Sequence, residues 1–179
     1  MIYLKRTVTN LKSHIHRAKL SEIILLTLLG VLMYVSQVIM SSLPNIELVS
    51  LLIIVVTRKF GVKALSSVYI FVLCEIFTYG LSIWVINYLY VWAILCIAIC
   101  CSRKINNTFF YAFIAGVFGL LFGTLCSFPY FIIGGFSMGI ANIVGGMSFD
   151  LMHCGGNFIL TVILYKPITK VLDRAVKPA

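Results

Sequence analysis

Three apolar stretches without a single Lys or Arg, residues 20–57, 64–102 and 105–165, alternate with four short segments, 5–19, 58–63, 103–104 and 166–177, that hold all fourteen Lys and Arg. A cationic side chain at the centre of a bilayer costs about 2.5–3.5 kcal/mol or more, and positive charge collects in cytoplasmic loops. Each apolar stretch exceeds the ~20 residues of one crossing and suits an outward and a return helix. The pattern therefore predicts an all-α membrane protein: three hairpins, six transmembrane helices and both termini in the cytoplasm. The whole chain, 1–179, then forms one membrane domain, with an amphipathic segment over 1–19 at the inner surface and the bundle over 20–172.

Finer punctuation places the elements. Helix 1 is expected over about 20–40, and Ser41-Ser42-Leu43-Pro44 reads as an outer turn with Pro44 in the first turn of helix 2, where its missing N–H costs nothing. Helix 2 ends near Thr57, before an inner turn at Arg58-Lys59-Phe60-Gly61. Helices 3 and 4 are expected over about 62–80 and 87–101, joined by an outer connection, 81–90, whose Trp84, Tyr88 and Tyr90 form an interfacial aromatic belt. Helix 5 is expected over 108–125, with Gly116, Gly119 and Gly123 on one face as a close-packing seam. Residues 126–146 carry Pro129 and five glycines, which predicts a long outer loop of the kind that serves as a lid or binding loop. Helix 6 is expected over 148–165.

Composition narrows the function classes. At 61% hydrophobic and 11% charged, this is no soluble globular domain. The net charge of +9 does not point to nucleic acid, because the cations sit at the feet of helices; the partner of Lys5, Arg6, Lys12, Arg17 and Lys19 is the anionic inner leaflet. The six cysteines lie in or beside apolar runs and read as small hydrophobes in packed helices. Cys96 and Cys100 share a helix face, but no CxxC pair or nearby His completes a metal site.

Polar residues stand out where they are expensive. Asp150, His153 and Asn157 fall at i, i+3 and i+7 on one face of helix 6. Glu75 and Tyr79 share a face in the outer half of helix 3. Glu47, with Asn45, lies at the outer start of helix 2, and Trp84, Asn87 and Tyr88 stand at the same level. An ionisable group inside a membrane faces the bundle interior or a cavity, so these ten residues predict an outward-opening polar pocket. Glu47 and Asp150 have an alternative reading as partners of helix dipoles, and His153 as a packing histidine. Glu75 is mid-helix, with no cap to serve.

Other chemistry fits less well. Gly135-Phe136-Ser137-Met138-Gly139 matches GxSxG, and His153 with Asp150 completes a nominal triad, but that elbow needs a strand-to-helix turn. A serine–histidine dyad inside six membrane helices is the remaining protease version. Neither GxxxxGK[ST] nor HExxH occurs.

The blocks Ser42-Leu43-Pro44-Asn45-Ile46-Glu47-Leu48-Val49-Ser50, Trp84-Val85-Ile86-Asn87-Tyr88-Leu89-Tyr90-Val91-Trp92 and Phe149-Asp150-Leu151-Met152-His153-Cys154-Gly155-Gly156-Asn157-Phe158 resemble the substrate-binding S component of energy-coupling factor (ECF) vitamin transporters. The resemblance covers about 20–172 and is greatest to the cobalamin-specific members. It implies a multi-pass plasma-membrane protein that is not an enzyme and needs no cofactor. Such a subunit captures a vitamin outside and delivers it through a transmembrane subunit driven by two cytoplasmic ATPases. Cobalamin is the expected ligand, with folate, pantothenate or pyridoxine as alternatives, and the 126–146 segment would close over it. His153 is placed either to ligate cobalt or to hydrogen-bond. A proton-coupled carrier using Glu75 is the competing class. One departure concerns docking: helix 1 lacks the Ala-x-x-x-Ala pair that the family often uses there.

Overall fold

The computed structural model describes residues 2–43 and 45–176, with side chains from Lys19 onward. Its elements are α1 (Ile2–Ile39), α2 (Val49–Phe60), a 3-10 turn (Gly61–Lys63), α3 (Ala64–Tyr79), α4 (Ile83–Ser102), α5 (Thr108–Cys126) and α6 (Phe128–Val176). The fold is all-helical among the described residues, and five helical stretches are long and apolar enough to cross a membrane. The second of these, Val49–Tyr79, joins α2, the 3-10 turn and α3.

Cross-contacts show how successive helices run. Ser67 on α3 donates to the Leu26 carbonyl of α1 at 2.7 Å, and Tyr34 pairs with Thr78 at 2.7 Å, so α1 and α3 are parallel. The chain therefore reverses twice between them, and α2 is the returning leg. Gly61 makes the second reversal at φ 64°, ψ −138°, a combination that glycine adopts without strain. The guanidinium of Arg103 donates to the carbonyls of Arg58 and Lys59, satisfying the end of α2 that would otherwise lack partners.

α4 lies parallel to α2, with Thr57 Oγ1 donating to Cys96 Sγ at 3.4 Å. α5 is capped by Asn107, whose side chain accepts from the amides of Phe109 and Phe110. The glycine seam of α5 seats α6. A Cβ on Gly119 would lie 2.7 Å from the His153 backbone, and one on Gly123 would lie 2.7 Å from Asp150 Oδ1. One end of the bundle gathers Lys59–Asp173 and Lys63–Glu22 ion pairs together with Arg103. The other end holds the cavity described below.

Several boundaries differ from the sequence reading, each for a local reason. The backbone of the 1–19 segment is not a separate helix but continues into α1 from Ile2; the side chains that would make it amphipathic lie outside the described residues, as does Pro44. α2 starts at Val49, not Pro44, and Asn45 takes a left-handed φ of 54°. α4 begins at Ile83, so Trp84, Tyr88 and Tyr90 stand on a helix and not in a loop.

The largest correction concerns 126–146. It is not a loop but helix: α6 starts at Phe128, breaks at Gly135 (φ 71°, ψ −170°) and returns. The two legs are antiparallel, since Asn142 donates to Ser127 Oγ at 2.8 Å and Phe131 packs against Phe136. Glycine costs only ~1 kcal/mol in a helix interior, and the apolar residues between the glycines outweigh that in the absence of any charge.

Candidate functional site

At the end of the bundle opposite the ion pairs, α1, the 40–48 connection, α3, α4, α5 and α6 enclose a cavity of about 320 Å³. One wall is a continuous run of rings. Trp84, Tyr88 and Trp92 repeat every four residues and so share one face of α4. Tyr79 stacks edge-on against Trp84 at 5.4 Å, Trp84 against Tyr88 at 5.3 Å, and Tyr88 against Trp92 at 5.3 Å. Phe122 of α5 closes the run, 5.3 Å from Trp92 and 4.8 Å from the imidazole of His153.

The opposite wall is polar and built around Glu47. Its carboxylate accepts from the Ser50 amide at 2.9 Å and the Ser50 hydroxyl at 2.6 Å, which caps α2. Its Oε1 also lies 3.1 Å from His153 Nε2. Asn157 Nδ2 donates to Ser50 Oγ at 3.1 Å and so fixes the residue that fixes Glu47. Glu47 lies in the connection between helical spans. Burial alone would push its carboxyl up, but the hydrogen bonds from His153 and Ser50 outweigh that and hold it below the ordinary carboxylate range. His153 Nδ1 is buried with no partner among the described residues.

Of the ten residues the sequence singled out, Asn45, Glu47, Tyr79, Trp84, Tyr88 and His153 line the cavity. Four do not. Asn87 is buried and ties helices together, donating to the Cys126 carbonyl at 2.9 Å and accepting from Tyr90. Asp150 accepts from the Gly123 amide at 2.9 Å and latches α6 to α5. Asn157 acts one step back, through Ser50. Glu75 is 0% exposed, between the turns of Phe71 and Tyr79 behind the aromatic wall, and neither carboxylate oxygen has a partner among the described residues. The stripe on α6 is real as a face, but its members look to different neighbours.

Gln37, Trp92, Phe122 and Ser50 were not picked out. Gln37 lines the cavity and donates to Tyr88 Oη at 3.4 Å. It is an amide inside the apolar run of α1, and Trp92 continues the four-residue repeat of Trp84 and Tyr88. Both signals were present in the sequence.

Two further readings change. Ser137 and His153 lie sixteen residues apart on one continuous leg of α6, about 24 Å along its axis, so no serine–histidine dyad forms. With Nε2 on Glu47 and Nδ1 buried, His153 offers no nitrogen to a cobalt ion here, and no group of three or more His, Cys, Asp or Glu among the described residues is placed to hold a metal.

No protein-family model, curated protein or solved structure matches this chain.

Proposed function

We propose that this chain is the substrate-binding membrane subunit of a multi-subunit importer, an S component of the ECF type. It crosses the plasma membrane six times with both termini inside, captures a vitamin from outside and passes it on through a transmembrane subunit and two ATPases. The observation that carries this reading is the separation of the two ends. The aromatic and carboxylate cavity lies at one, and the Lys and Arg residues that mark the cytoplasmic side lie at the other. The sequence contains no phosphate-binding loop of its own, in keeping with energy supplied by partners.

The size of the cavity bears on the ligand. About 320 Å³ is at the small end of the ~300–1,000 Å³ typical of small-molecule sites. That room suits a ligand of one or two rings. A ligand as large as cobalamin would extend out through the mouth of the cavity or need the α6 hairpin and the 40–48 connection to move apart.

Reconstitution tests the reading. With the transmembrane subunit and both ATPases in liposomes, uptake of the bound vitamin requires ATP, and the chain alone accumulates nothing. Calorimetric titration of the purified chain with pyridoxine, pantothenate, folate and cobalamin ranks the ligands. The buried, unpartnered Glu75 carboxylate favours one competing reading, a proton-coupled carrier. ATP-independent accumulation driven by a pH gradient, and lost in Glu75→Gln, would establish that reading instead.

A further inference from the structure

The walls of the cavity share one electrostatic character. Among the described residues that line it there is a carboxylate, Glu47, and neither Lys nor Arg. His153 Nε2 lies 3.1 Å from the Glu47 carboxylate, the one imidazole contact on that group among the described residues. A second carboxyl, Glu75, stands behind the wall with both oxygens unpartnered. The wall itself presents the faces and edges of Tyr79, Trp84, Tyr88 and Trp92. Ring faces are negative through their quadrupoles and attract cations, tryptophan most strongly.

The Glu47 carboxylate and the ring faces of this surface therefore favour positive charge, and neither Lys nor Arg lines it to hold a negative one. Resting on the importer reading, we infer that the ligand class is an organic cation of one or two rings' size, a quaternary ammonium or N-alkylated heteroaromatic compound. The cationic centre sits against the Trp84–Tyr88 wall, and Glu47 is its counter-charge. The same walls repel a carboxylate- or phosphate-bearing ligand, because an anion brought beside Glu47 gives up part of its water and meets a like charge. This separates the site from the cationic cleft at the other end of the molecule, around Arg58, Lys166, Lys170 and Arg174.

A charge series on one ring tests the inference. The purified full-length chain in lipid nanodiscs is titrated calorimetrically with 1-methylnicotinamide (cation), nicotinamide (neutral) and nicotinate (anion), and with benzyltrimethylammonium as a second cation. At least one cation binds tenfold or more tightly than nicotinamide, and nicotinate binds weakest. Glu47→Gln removes most of that preference, and Trp84→Leu weakens the cations more than nicotinamide. Nicotinamide or nicotinate binding as tightly as both cations overturns the inference, as does the absence of binding by every compound in the series. If Glu47→Gln fails to fold, Trp84→Leu alone decides. The titration uses the chain without energising subunits, so its outcome is independent of ATP-driven uptake. A cation preference without ATP-dependent transport would sink the importer reading alone.

Discussion

The carboxylate of Glu47 and the imidazole of His153 meet at 3.1 Å although 106 residues separate them in the chain. The pair joins the connection before α2 to the middle of α6, and it lies in the cavity wall. Removing one partner leaves the other buried without its hydrogen bond, which costs about 1–3 kcal/mol. Glu47→Ala and His153→Ala should each lower stability by that order and weaken ligand binding about tenfold or more. A double-mutant cycle on thermal unfolding should show coupling above ~0.5 kcal/mol; additive losses would mean that the contact carries no energy.

The same pair sets a pH dependence. Glu47 is held below its ordinary range in the folded protein. Its contribution is therefore fully present above the unfolded carboxyl value of about 4.3 and is lost as pH falls through the lower folded value. Melting curves taken from pH 7 down to pH 3 should show wild type losing a component that Glu47→Gln never had. Parallel curves for the two proteins would remove Glu47 from the acid transition.

Glycines in α5 and α6 should separate by surroundings. A Cβ on Gly119 meets His153 backbone at 2.7 Å, and backbone cannot rotate away; a Cβ on Gly145 meets nothing within 4 Å. Gly119→Ala should destabilise by a few kcal/mol, the scale of overpacking. Gly145→Ala should stabilise by about 0.5–1 kcal/mol, the helix-interior difference between the two residues. Thermal unfolding in detergent measures both.

Asn87 and Asp150 should behave as structural residues. Asn87→Ala strands the Cys126 carbonyl, and Asp150→Ala removes the contact from the Gly123 amide that ties α6 to α5. Each should cost about 1–3 kcal/mol of stability and leave the affinity of the folded fraction within twofold. An affinity loss matching that of His153→Ala would place them at the ligand.

Side assignment has a direct chemical readout. On a cysteine-free background, single cysteines at Ser41 and Trp84 should react with an impermeant maleimide from outside, and those at Lys59 and Lys104 should not. The reverse pattern would turn the cavity toward the cytoplasm.

Much of the helical layout was legible because charge in a membrane is so costly that its positions mark where the chain turns. The alternation of basic segments and apolar stretches placed the reversals at 58–63 and 103–107. The 126–146 segment was misread because glycine frequency signals loops in water. In a chain whose residues 105–149 contain no charged side chain, a helix satisfies the backbone and apolar surroundings stabilise it. At the site, spacing on α6 put Asp150, His153 and Asn157 on one face. It gave no information about which neighbour each would meet, since Gly123, Glu47 and Ser50 come from two other segments.

The twelve residues of α2 rise only about 18 Å, against a hydrocarbon core of ~30 Å. Its neighbours run on past its first residue, and Glu47 stands where a longer helix would have continued. The chamber is thus the unfilled remainder of a truncated helix, roofed by the 40–48 connection, and needs no domain of its own. In an architecture like this, ligand size is set by where the second helix starts: each residue added before Val49 would raise the floor of the chamber by about 1.5 Å.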